Sequence, residues 1–300
     1  PRAIAGREQL IGRYAREVVD SVIDRGECEF VEEIAMQVPM RTVLGLLGVP
    51  ENDFAYIAGV VNVMTLAADP EYAANREEGW AASMEAWQYG AQLAEDHRNN
   101  PRDSVTMDML DTEVDGTRMS NEQYAGFFVN LIVGGMETTR NTTAWMVYEF
   151  IQHPDQYAKL QADLSLVPNA VEETLRYRNT VVYLRRTATR DMKFAGESIN
   201  KGDKLVCILG SPSRNEAYFD NPDSFDITRS YKEIRRHYRT FGAGPHFCVG
   251  VHQSRMMLEA ITGEIARRMH NLRLLEEPVH FKSNFMDGFK RMHVGFDPAP

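Results

Sequence analysis

Phe241-Gly242-Ala243-Gly244-Pro245-His246-Phe247-Cys248-Val249-Gly250 is the stretch on which the reading of this chain turns. It has the form F-x-x-G-x-x-x-C-x-G, which a chain of this composition would produce by chance about 0.0007 times. Gly244 and Gly250 allow the backbone to turn tightly around the sulfur. Cys248 stands just ahead of a helix beginning near Val249, where the helix dipole and unpaired N–H groups favour a thiolate. A thiolate so placed can ligate a haem iron and push electron density toward O–O cleavage. The plainer reading is a Gly-rich loop that buries a cysteine. A metal cluster of His246, Cys248 and His252 lacks a fourth ligand at zinc-like spacing.

Upstream, Ser120 with Gln123 three residues on forms a capping-box pattern, and it opens a helix of about thirty residues over 121–152, long enough to cross a domain. Inside it lies Gly134-Gly135-Met136-Glu137-Thr138-Thr139. Two glycines in a helix interior destabilise it by about 1 kcal/mol each relative to alanine, so close approach of another group is expected there. The alternative is a helix–helix contact at small residues. Farther on, Glu173 and Arg176 lie three apart on one helix face and can pair. By itself that spacing also describes an ordinary surface ion pair.

Around these motifs the apolar period reads as helix over 2–25, then a second helical stretch closed by Gly48 and Pro50, then 52–67, 71–98 and 104–111. A short amphipathic piece follows His153-Pro154, and Pro168 starts a helix running through Tyr177. Val181 to Thr189, Lys193 to Phe194 and Leu205 to Leu209 read as strands. The polar stretch from Asn215 to Thr240 shows no sustained period and is long for a loop. Val249 to Met269 returns to helix, and the last thirty residues alternate like short strands. The fold class expected is mainly α with a minor β-sheet, as a single domain over 1–300.

Composition narrows the function. With 43% hydrophobic and 25% charged residues in 300, the chain can bury a continuous core and is neither collagenous nor disordered. Thirty-three basic against 43 acidic side chains leave a formal charge of −10. General attraction to nucleic acid or anionic lipid is therefore not expected. Three scattered cysteines imply no disulfide framework, and no apolar run reaches the roughly 18 residues of a membrane span, so a cytoplasmic location is expected.

Taken together, these motifs resemble the cytochrome P-450 superfamily, the haem-thiolate monooxygenases, over essentially the whole chain. The resemblance implies a cytochrome P-450 fold in which 241–250 is the cysteine ligand loop and 121–152 the central oxygen-binding helix. It implies haem b (iron protoporphyrin IX) with Cys248 as the metal ligand, and O2 as co-substrate. Glu137 and Thr138 would manage protons. Arg186 and His246 would hold the propionates, with Gly135, Phe241 and Gly250 beside the cofactor. Glu173 and Arg176 would be structural. Facing the haem by analogy are Phe128, Leu131, Ile132, Val181, Val182, Tyr183, Phe285 and Met286, a largely apolar set that suits a hydrophobic substrate such as a terpenoid, a sterol or an aliphatic chain.

Electrons would come from NAD(P)H through ferredoxin and ferredoxin reductase, with Arg235, Arg236, Arg239 and Arg255 ringing the cysteine side as a docking patch. The alternative for these arginines is pairing with Glu233, Glu259 or the propionates. Many members of the superfamily carry an arginine where this chain has Ser224, and Arg229 is the candidate to replace it. The opening Pro1-Arg2-Ala3-Ile4 resembles the segment that follows the propionate-binding helix. The resemblance therefore implies an amino-terminally truncated chain, without the first strands, a substrate-capping helix and that helix. Two alternatives follow: a haem-binding fragment without catalysis, and a peroxide-driven haem-thiolate peroxygenase.

Overall fold

The long helix organises everything else. Ser120 Oγ accepts the Gln123 N–H at 3.2 Å, and Gln123 Oε1 accepts the Ser120 N–H at 2.9 Å, so the capping box forms as expected. From it the helix runs without a break over Asn121–Gln152. A computed structural model describes residues 7–299. The opening Pro1 to Ile4, on which the truncation reading rests, lies outside them.

In chain order the helices are α1 (Glu8–Ile23), α2 (Gln37–Leu46), α3 (Phe54–Thr65), α4 (Arg76–Asn99), α5 (Val105–Asp111), α6 (Asn121–Gln152), α7 (Pro154–Ala162), α8 (Val167–Tyr177), α9 (Tyr231–His237) and α10 (Val251–Arg268). Helix α6 enters three cores. Tyr124, Phe128, Ile132 and Met136 pack with α2, α3 and α4. One turn and more beyond, Ala144, Trp145 and Val147 join α1 and α10. Met146 and Phe150, on the other side, join α7, α8 and the segment around Phe219 and Phe225. The helix is buried around most of its carboxy-terminal half, where Glu137, Arg140, Asn141 and Glu149 are buried together with the apolar side chains.

The strands are short and peripheral. β1 (Glu27–Glu29), β11 (His293–Pro298) and β8 (Met269–Leu274) form a three-stranded antiparallel sheet with Cys28 opposite Val294 and Val294 opposite Leu274. β4 (Tyr183–Thr187) pairs antiparallel with β7 (Lys204–Ile208), Leu184 opposite Cys207. β2 (Glu113–Val114) with β3 (Thr117–Arg118), β5 (Met192–Phe194) with β6 (Glu197–Ile199), and β9 (Val279–His280) with β10 (Phe289–Arg291) make two-stranded pairs.

Two expectations fail. The stretch after Gly26 is not one helix: β1 comes first, then a π-helical turn (Val31–Ala35), then α2. Gly26 at φ +70 turns the chain, and the Phe30 N–H donates to Met292 O at 2.9 Å, so a distant strand recruits these residues. The polar stretch 215–240 is not a bare loop. It contains α9, and its preceding part is pinned from beneath by Arg176, as described below.

Candidate active site

A cavity of about 370 Å³ lies where α6, α10 and the cysteine loop meet. On α6 the residues that line it include Asn130, Leu131, Gly134, Gly135 and Thr138, spaced three and four apart along one face. The cysteine loop contributes Phe241, Gly242, His246, Cys248 and Gly250. Val43, Leu46 and Leu47 of α2 close another side, with Val181, Leu184 and Leu209 from the β4–β7 region. Apart from the hydroxyls, the loop and the carboxamides of Asn130 and Gln253, the walls are apolar.

The loop turns at Gly244 as expected, but its second turning glycine is Gly242 and not Gly250. Gly242 and Gly244 have φ of +74 and +72, a region that side chains avoid, whereas Gly250 is at φ −85. The Cys248 N–H donates to Phe241 O at 3.0 Å and closes the turn. Helix α10 then starts at Val251, with Gly250 as its cap. One expectation is corrected: burial pushes the Cys248 thiol up from its ordinary value, against a Gly250 backbone N–H and Arg255 that favour the thiolate. These surroundings do not by themselves ionise the sulfur, whereas coordination to a metal deprotonates a thiol outright.

On the facing helix, Thr138 Oγ1 donates to Gly134 O at 2.7 Å, the back-bonding that tends to bend a helix. A Cβ at Gly134 would meet nothing within 4 Å, so open space borders that turn. At Gly135 a Cβ would press on Val43 Cγ2 at 2.8 Å, so this glycine serves the approach of α2. Glu137 is not on the cavity. It is fully buried, and its Oε2 accepts from Arg140 Nη2 at 2.5 Å while its Oε1 has no partner. Burial raises its pKa despite the arginine.

The remaining expected residues divide. Leu131, Val181 and His246 line the cavity. Phe128 and Ile132 do not: they belong to the core under α4, where Phe128 stacks on Tyr89 at 5.7 Å and fills the space above Gly90. Val182, Tyr183, Phe285 and Met286 are not among the lining residues either. Tyr183 and Phe285 meet edge to face at 5.8 Å, and Met286 bridges to Val181. Arg186 is exposed, with its Nη1 on Arg185 O at 3.0 Å, yet it shares the strand face of the lining residue Leu184. Sequence reasoning missed Asn130, although it lies eight residues before Thr138 on the same helical face. It also missed Val43, Leu46 and Leu47, for which no local signal exists.

Glu173 and Arg176 are not a surface pair. Both side chains are fully buried, joined by two bonds of 2.7 Å. Arg176 also donates to Ser213 O, Pro222 O and Ser224 O at 2.7–2.9 Å, which pins 213–224 onto α8. Arg229 Nε lies 3.3 Å from Glu173 Oε1, an ion pair without hydrogen-bond alignment. Ser224 enters through its carbonyl. The neighbouring Glu172, also fully buried, corrects the expected basic patch. It accepts from Arg235 Nε at 2.8 Å, from Arg255 Nε and from the Tyr238 hydroxyl at 2.5 Å. Arg235 and Arg255 are therefore neutralised, and by neither Glu233 nor Glu259. Arg236 and Arg239 are exposed and make no salt bridge among the described residues.

Among the described residues no group of three or more His, Cys, Asp or Glu side chains could hold a metal ion. The cavity offers an iron a single sulfur, at Cys248, in an apolar slot that suits a flat macrocycle carrying its own nitrogen ligands. The residues present fit a haem in this way. A single thiol and a glycine-opened, hydroxyl-bearing helix on one largely apolar cavity form the arrangement expected of a haem-thiolate protein. Comparison with known proteins agrees. The Cytochrome P-450 family matches residues 75–276. A methyl-branched lipid omega-hydroxylase of Mycobacterium tuberculosis is 33% identical over 98% of this chain and 69% of its own length. A steroid C26-monooxygenase of Rhodococcus jostii is 31% identical over 100% of this chain and 62% of its own. A solved cytochrome P-450 of Mycobacterium marinum in complex with pseudoionone superposes with a TM-score of 0.91, at 32% identity, over 99% of this chain and 72% of its own. The chain belongs to the cytochrome P-450 family, a family of oxidoreductases.

Proposed function

We propose that this chain carries the oxygen-activating centre of a monooxygenase that hydroxylates a hydrophobic lipid, a branched aliphatic chain or a sterol. The observation that carries this reading is that Cys248 and Thr138 line one apolar cavity. Haem b, when bound, supplies the chemistry that splits O2: one atom enters a C–H bond to give the alcohol, and the other leaves as water with two electrons and two protons. The chain's own residues then have separate tasks. Cys248 Sγ is the ligand, and Phe241 and Gly250 shape the slot around it. His246, with Arg186 after a rotamer change, takes the propionates. Thr138 Oγ1 holds and passes a proton, and Glu137 behind it is the acid that replenishes it by rotating off Arg140. The apolar walls exclude water and orient the substrate.

Electrons from NAD(P)H arrive through ferredoxin and its reductase, and the exposed Arg236 and Arg239 on the cysteine side suit an acidic partner. The three cysteines are all unpaired, in keeping with a reducing compartment such as the cytoplasm. No helix among the described residues is long and apolar enough to cross a membrane.

The test uses the complete, haem-loaded protein turned over under isotopically labelled O2. The expected alcohol carries one labelled oxygen; label drawn from water would overturn the reading. In the same preparation Cys248→Ser should abolish the red-shifted band of the ferrous carbon monoxide complex, and Cys28→Ser and Cys207→Ser should leave it intact.

A further inference from the structure

The α6 wall of the cavity starts at the polar side chain of Asn130 and is polar again from Thr138 onward, where Thr139 and Thr142 also line it. Asn130, Gly134 and Thr138 succeed one another at intervals of four on one face, and all three line the cavity. At a rise of 1.5 Å per residue, Asn130 lies roughly 12 Å along the axis from Thr138. Between them the open turn at Gly134 leaves room for a ligand against the backbone, and the nearby walls are Leu131, Val43, Leu46 and Leu47. Between Thr138 and Asn130 the α6 residues that line the cavity, Gly135, Gly134 and Leu131, carry no polar side chain.

Asn130 Nδ2 donates once, to Gly126 O at 2.7 Å. Its second N–H and both lone pairs of Oδ1 have no protein partner among the described residues. Asn130 is exposed, so water satisfies its carboxamide at this edge of the cavity. A lipid that reaches this edge displaces part of that water, and the amide then favours a ligand that returns the lost hydrogen bond.

We propose that Asn130 is a specificity-determining residue that accepts an uncharged oxygen function of the lipid, a ketone or a hydroxyl, about 12 Å from the carbon presented at Thr138. A carboxamide donates to a ketone and both donates to and accepts from a hydroxyl. A carboxylate fits less well, because no lysine or arginine lines the cavity among the described residues, and its charge would be desolvated against neutral amides. This inference rests on the lipid-hydroxylase reading and deepens it.

The test is a binding cycle on the complete, haem-loaded protein by titration calorimetry. The ligands are methyl undecyl ketone, the alcohol made by reducing it, tridecane and tridecanoic acid; the proteins are the parent, Asn130→Leu and Asn130→Gln. The expected result is that Asn130→Leu weakens ketone and alcohol relative to tridecane by about tenfold, the worth of one neutral hydrogen bond, while Asn130→Gln retains most of the preference. The ferrous carbon monoxide band reports that each variant is folded around its haem. A ketone-to-alkane ratio that Asn130→Leu leaves within about twofold overturns the assignment. Tightest binding of the acid overturns the uncharged class. If none of the four ligands binds a protein with an intact band, the lipid reading itself falls, an outcome distinct from equal binding of all four.

Discussion

Glu173 with Arg176 on α8, and Glu137 with Arg140 on α6, are the same arrangement: acid and base three residues apart, both buried. Their surroundings differ. All five N–H groups of Arg176 are used, two on Glu173 and three on the backbone carbonyls of Ser213, Pro222 and Ser224. Glu173 Oε1 further accepts the Asp226 N–H at 2.9 Å. Arg140 instead reaches side chains only: Glu137, Asn62 Oδ1 at 2.7 Å and Asn141 Oδ1 at 3.2 Å. Glu137 Oε1 and Asn141 Nδ2 are left without partners. Carbonyls of a pinned segment cannot turn away, whereas side-chain amides can rotate. The first pair is a lock between α8 and the chain leading to the cysteine loop, and the second is an incomplete network next to Thr138. Spacing brings acid and base together; what surrounds them decides whether the pair holds or moves.

The comparison breaks most visibly at Arg176. Arg176→Lys keeps the charge but replaces a planar fork by a point donor, leaving buried carbonyls orphaned and Glu173 poorly paired. A loss on the order of 3–5 kcal/mol is expected in urea denaturation of the complete protein, together with loss of haem. A variant within about 1 kcal/mol of the parent would place the lock elsewhere.

Arg140→Met should destabilise less, on the order of 2 kcal/mol near neutral pH, because a proton can neutralise Glu137 in place of the lost arginine. The sign follows from burial, which already holds the Glu137 carboxyl above its ordinary value. A folded pKa above the unfolded one means that the native state binds the proton more tightly. Stability is then greatest below the unfolded value and declines as pH rises through the folded one. The deficit of Arg140→Met should therefore shrink as pH falls from neutral toward the ordinary glutamate range, and adding Glu137→Gln should abolish that dependence. A deficit independent of pH would mean that Glu137 is not the group left stranded.

Asn62→Ala is the mildest change. It removes one neutral partner of Arg140 and should lower stability by about 1 kcal/mol, with little effect on haem retention. Its sharper readout is product formed per NADH consumed, which should change if Asn62 helps to hold Arg140, and through it Glu137, in place. Coupling identical to the parent would restrict Asn62 to a packing role.

Local chemistry sufficed for part of this protein. The capping box at Ser120, the proline near the start of α8 and the glycines of the cysteine loop act within a few residues of themselves, so the start of α6, the extent of α8 and the turn around Cys248 were legible in the sequence. The pairing of Glu173 with Arg176 was legible too, because three residues on a helix face bring them together whatever lies outside. The rest depended on partners remote in the chain. β1 exists because β11 pairs with it, Arg235 and Arg255 are neutralised because Glu172 reaches both, and Arg176 is a lock because three distant carbonyls converge on it. Apolar periodicity marks Phe128, Leu131 and Ile132 alike as residues that avoid water. Only the packing of α4 against α6 decides that Phe128 and Ile132 fill a core while Leu131, with Asn130 beside it, borders the cavity, since an apolar side chain satisfies a core and a lipid-lined wall by the same physics.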